Sequence, residues 1–112
     1  MKLSIREHIV RTVIIAPEER VDAFSAPSLR ASFEKFLAEG VSKFVVDLSL
    51  TPFLDSAGMA ALVSLLKNAR QAGGDVKLVW PKEEAAQRTL RLTKFDRVFE
   101  MADTAELALE RF

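Results

Sequence analysis

Ser56 stands directly after Asp55 and is followed by Ala57-Gly58-Met59. The pair falls where a Pro-containing loop, ending in Pro52-Phe53-Leu54, gives way to a long apolar-rich helical stretch. At such a start the first backbone N–H groups lack partners, and the peptide dipoles leave partial positive charge. An anion, including a phosphate, is tolerated there at little structural cost. A plainer role is open as well: Ser56 as an ordinary capping serine, or as a first-turn residue behind an Asp55 cap, since both types are favoured there for backbone reasons. Gly58 and the partly apolar Phe53-Leu54 favour a docking role. Glycine in a helical turn costs about 1 kcal/mol relative to alanine, and it lets another chain approach closely. Ser56 is therefore read as a phosphorylation switch on a small protein-binding domain, with no residue assigned a catalytic role.

Other chemistries fit less well. Asp55-Ser56-Ala57-Gly58 is similar to the G-x-S-x-G hydrolase elbow, but Leu54 occupies the first glycine position. The chain's single histidine, His8, lies on or beside the first expected strand, whereas a serine nucleophile needs a base within hydrogen-bond reach. With no cysteine, one histidine and acids scattered as Asp22, Asp47 and Asp55, no metal-ligand spacing emerges. Gly40 and Gly73-Gly74 form no phosphate-cradling loop. Lys67, Arg70 and Lys77 read as a solvated face without aromatic interleaving. No cofactor and no metal are expected.

The elements that must position Ser56 follow from hydrophobic pattern. Leu3, Ile5 and Glu7 suggest a short edge strand, and Val10 with Thr12–Ile15 a more buried one stopped by Pro17. Ser25 is the expected N-cap of a first helix, with Pro27 tolerated in its first turn. Leu29, Phe33, Phe36 and Leu37 make its apolar stripe, and Gly40 its left-handed end. Phe44-Val45-Val46-Asp47-Leu48 has the near-continuous apolar character of an interior strand. The helix from about Ser56 to Ala72 should bury Met59, Leu62, Val63 and Leu66, although it is apolar nearly all round as far as Leu66. A strand at Val76–Trp80, a helix over Glu83–Leu92, a short strand at Val98–Met101 and a helix capped by Asp103 or Thr104 complete the pattern. Alternating strands and helices predict an α/β fold, a mixed sheet of about five strands with a layer of about four helices.

Length and composition bound the class. The 112 residues are enough for one domain, spanning 1–112, and 49% apolar content supports a packed globule. Absence of cysteine fits a reducing compartment. Sixteen basic residues balance sixteen acidic ones, so net charge offers no general attraction to nucleic acid or anionic membrane. The longest apolar run falls well short of the about 20 residues a membrane span requires. A cytoplasmic protein without direct nucleic-acid binding or membrane insertion is expected.

The stretch Asp47-Leu48-Ser49, Pro52 to Met59, and Leu62 resembles the signature of the STAS domain, in particular of bacterial anti-sigma-factor antagonists. The resemblance extends through Arg20-Val21-Asp22-Ala23, the turn Ala72–Leu78, the segment Leu90–Phe99 and the closing helix Thr104–Leu109. It departs at Glu19, where the family carries glycine, and at Pro17, where the preceding strand is normally apolar. The resemblance implies that the unmodified protein binds an anti-sigma factor that is also a serine kinase, releasing the sigma factor. Phosphorylation of Ser56 would end that interaction and a protein serine phosphatase would reset it. It further implies that Asp22 lies near Ser56 and that partner contacts involve Asp22, Phe53, Leu54, Asp55, Ser56, Gly58 and Met59. STAS-like domains also serve, sometimes without phosphorylation, in lipid ABC transporters and in sensory scaffold complexes, which is the alternative reading.

Overall fold

A computed structural model of the chain describes residues 1–5 and 10–112. Among the described residues the chain runs β1 (Thr12–Ile15), α1 (Ala26–Ala38), β2 (Lys43–Asp47), α2 (Ser56–Gln71), β3 (Asp75–Val79), α3 (Glu84–Leu92), α4 (Phe95–Val98), β4 (Glu100–Ala102) and α5 (Ala105–Glu110). The strands form one sheet in the order β1-β2-β3-β4, and every pairing is parallel. Register is set by Thr12 beside Lys43, Lys43 beside Asp75, and Lys77 beside Glu100. The α/β class is as expected; among the described residues the sheet is parallel throughout rather than mixed, with four strands and five helices in place of about five and four. The expected N-terminal strand accounts for the strand difference, and the one-turn helix α4 is the additional helix. Leu3 and Ile5 are exposed and outside any strand, while Glu7 and His8 lie outside the described residues.

The apolar pattern of each strand divides the core. Phe44, Val46, Val76 and Leu78 face α1, α2 and α3, where Phe33, Leu62, Leu65 and Leu90 fill one cluster. Val45, Val79 and Ala102 point the other way, against Ala108 of α5. The sheet is thus covered on both faces rather than by a single layer, which explains why β2 reads as an unbroken apolar run. Lys77, on the α5 side, is buried, ion-paired with Glu100 and stacked 4.4 Å from the Phe112 ring.

The helix ends follow local chemistry. Gly40 and Gly73, at φ +87° and +84°, close α1 and α2. In each case the next amide reaches back to the last turn, Val41 to Phe36 and Gly74 to Ala69. Thr104, one of the two proposed caps, accepts from the Leu107 amide at 3.1 Å. The face of α2 differs from the expected one. Gly58, Ala61, Leu62, Leu65, Leu66 and Ala69 are buried, Met59 is only half-buried, and Val63 is 44% exposed. Alanine supplies part of the inward stripe, because α2 packs closely on α1 and β3 and small side chains permit that approach.

Candidate functional site

Two loops meet at the C-terminal end of the parallel sheet, the region where open α/β sheets place their sites. One joins β1 to α1 and the other joins β2 to α2. Leu54 is buried in the main core and forms a parallel bridge with Val21. The Val21 amide donates to the Phe53 carbonyl at 3.0 Å, and the Asp55 amide donates to the Val21 carbonyl at 3.2 Å. The hydroxyl of the fully buried Thr51 donates to the Pro17 carbonyl at 2.8 Å. Together these bonds clamp one loop onto the other, so Pro17 participates in the loop clamp.

Asp55 is the N-cap of α2, and its carboxylate is fully engaged. Oδ1 accepts from the amides of Ala57 at 2.9 Å and Gly58 at 3.1 Å, and Oδ2 accepts from the Ala23 amide at 3.2 Å. The sequence left open whether Ser56 or Asp55 caps the helix; Asp55 does. Ser56 is therefore the first helical residue, exposed, and its hydroxyl makes no protein hydrogen bond among the described residues. The same geometry narrows the anion argument. The Ala57 and Gly58 amides are already satisfied, so a phosphate on Ser56 would be held chiefly by solvent, close to the Asp55 carboxylate.

Asp22 anchors the facing loop. Its Oδ1 accepts from the amides of Phe24 at 3.0 Å and Ser25 at 3.1 Å. In return the Ser25 hydroxyl accepts from the Asp22 amide at 3.0 Å and donates to the Arg20 carbonyl at 2.6 Å. Ser25 thus adjoins α1 as expected, but its side chain makes no cap bond to that helix; the reciprocal pair with Asp22 orders the turn before it. Hydrogen bonding from the Ser25 amide, reinforced by the Phe24 amide, the Ser25 hydroxyl and nearby Arg20, holds the Asp22 carboxyl below its ordinary value despite partial desolvation. The Arg20 guanidinium lies 3.8 Å from Asp22 and 4.8 Å above the Phe53 ring.

Asp22, Phe53, Asp55, Ser56 and Met59 all have accessible surface, and the clamp brings Asp22 beside Asp55 through Ala23. Leu54 and Gly58, expected at the contact surface, are buried instead. A Cβ at Gly58 would lie 2.6 Å from the Val21 carbonyl oxygen and 2.8 Å from its Cγ1. The chain that this glycine admits is the protein's own loop. Sequence reasoning did not single out Phe24, which is 94% exposed beside the ordered Asp22 turn; it expected the outer side of α2 at the contact surface, and that side carries Ala60 and Val63, the latter assigned to the core from sequence. A lone aromatic among Asp22, Ala23 and Ser25 was the available signal for Phe24. Among the described residues no group of His, Asp and Glu is arranged to hold a metal ion, and no helix is long and apolar enough to cross a membrane.

Fold and site together define an α/β domain that presents an exposed serine at a helix start. The chain belongs to the STAS domain family, whose profile matches residues 3–108. A Thermotoga maritima protein, described as a candidate anti-sigma factor antagonist, is 32% identical over 99 residues, 88% of this chain and 87% of that one. A crystal structure from that organism, of a protein given the same description, superposes with a TM-score of 0.82 at 32% identity, covering 88% of this chain and 86% of the other. An anti-sigma factor antagonist from Mycobacterium paratuberculosis gives 0.79 at 25% identity, covering 95% and 88%. The unphosphorylated antagonist SpoIIAA shares the fold, with a TM-score of 0.73 at 22% identity over 94% of this chain and 93% of its own.

Proposed function

We propose that this protein is an anti-sigma-factor antagonist, a cytoplasmic binding module rather than an enzyme. Its unphosphorylated form docks on an anti-sigma factor that is also a serine kinase and so releases the sigma factor. Phosphorylation of Ser56 ends docking, and a protein serine phosphatase restores it. The observation that carries this reading is the division of labour at the start of α2. Asp55 does the capping, which leaves the Ser56 oxygen exposed and unbonded among the described residues.

The chemistry of the switch follows from the same geometry. Backbone amides occupy both oxygens of Asp55 and Oδ1 of Asp22, and in this reading the base that takes the serine proton is supplied by the kinase. Phosphate adds nearly two negative charges, beside two carboxylates whose positions are fixed. A partner that accepts the neutral hydroxyl would then meet repulsion and a costly desolvation. A thousandfold loss of affinity needs only about 4 kcal/mol, within reach of such a change at one interface. The fold need not alter, because the phosphate projects from a first-turn position that is already exposed.

Incubation with serine-kinase anti-sigma factors and ATP, followed by peptide mass spectrometry, tests the site. Phosphate is expected on Ser56 and absent from Ser56→Ala. Equal phosphorylation of that variant would refute the assignment.

A further inference from the structure

A groove of about 300 Å³ opens between residues 17–19, leaving β1, and the N-terminal half of α1. Val21, almost fully buried, and Leu29, packed on the core, give it an apolar floor. Ser28 and Ser32 face it from α1. The Ser32 hydroxyl donates to the Ser28 carbonyl at 3.3 Å, and the Ser28 hydroxyl has no protein partner among the described residues. Glu18 and Glu19 also line the groove, are exposed, and enter no ion pair among the described residues. The neighbouring cation, Arg20, is turned toward Asp22 and Phe53. The groove therefore combines apolar surface with an excess of acceptors and two negative charges that no cation among the described residues pairs.

We propose that this groove receives an arginine side chain from the docking partner. The methylene stem lies along Val21 and Leu29, and the guanidinium reaches the Glu18 and Glu19 carboxylates and the Ser28 hydroxyl. Arginine suits the groove better than lysine because its planar fork of five donors serves several acceptors at once and is the more weakly hydrated cation. Apolar contact of the stem adds what a rim ion pair by itself lacks. The groove shares Val21 and Ser25 with the Asp22 turn, so it is continuous with the docking face around Ser56. The inference rests on that face being the docking face, and names what the partner presents there.

The test uses the isolated protein, so its outcome is independent of any kinase. Backbone amide NMR shifts are followed during titration with N-acetyl-arginine methylamide, with the norleucine analogue as the uncharged stem. Shifts confined to Glu18, Glu19, Ser28, Leu29 and Ser32 are expected for arginine and not for norleucine. They should weaken about tenfold in the double variant E18Q/E19Q, whose otherwise unchanged spectrum reports an intact fold. Absence of localised shifts, an equal response to norleucine, or an equal response in E18Q/E19Q would overturn the proposal. None of these results would move phosphate off Ser56.

Discussion

At the scale of single residues, two neighbours that look equivalent in sequence divide the work. Asp55 caps α2, and Ser56 is left exposed for the phosphorylation proposed above. Asp55→Ala removes both the α2 cap and the bond to the Ala23 amide, and should cost about 1–2 kcal/mol in urea unfolding. Ser56→Ala removes no protein hydrogen bond among the described residues and should stay within about 0.5 kcal/mol of the parent. Asp22 makes a prediction about pH. The fold favours its charged form, so the stabilisation it gives is fully present above the ordinary carboxylate pKa of 3.8 and is lost as pH falls through the lowered native value. Carbon-detected NMR of the Asp22 carboxyl should show a midpoint below 3.8; a midpoint at or above it would contradict the ordered turn.

Elements show what sequence pattern conveys and what it hides. Strand β2 was legible because burial on both faces leaves an unbroken apolar run, Phe44-Val45-Val46, and α2 because Gly73-Gly74 marks its end. The inward face of α2 was not legible. A helix apolar nearly all round carries little phase information, so Val63 read as core although it is exposed, while Ala61 and Leu65 do the packing. Val63→Ser should accordingly leave stability within about 0.5 kcal/mol yet weaken partner binding, measured by calorimetry. Gly58 misled for another reason: close approach of a chain was the right inference, but the chain is the Val21 segment. Gly58→Ala should destabilise by about 1–2 kcal/mol, despite alanine's higher helix propensity, because the clash is with a backbone carbonyl held by the Asp55 amide. An unchanged or raised urea midpoint would contradict the clamp.

For the whole molecule, the α/β class and the Asp55-Ser56 stretch were readable before any coordinates, whereas the clamp between loops was not. It joins Pro17 to Thr51 and Val21 to Leu54, positions more than 30 residues apart in the chain, and no local pattern announces such a contact. Its consequence is a preordered surface, which the proposed function takes as the docking face: two ordered carboxylates, an exposed Phe24 and an exposed serine with no protein hydrogen bond among the described residues, carried on a sheet packed from both sides. Under the proposed function a surface ordered in this way is switched by charge alone, without refolding. The most direct test compares the affinity of the kinase that modifies Ser56 for the protein before and after phosphorylation, with amide NMR spectra of both forms. The account predicts at least a hundredfold loss of affinity, equivalent to about 2.7 kcal/mol, with spectral changes confined to the two loops and the first turn of α2. Equal affinity of the two forms would contradict it.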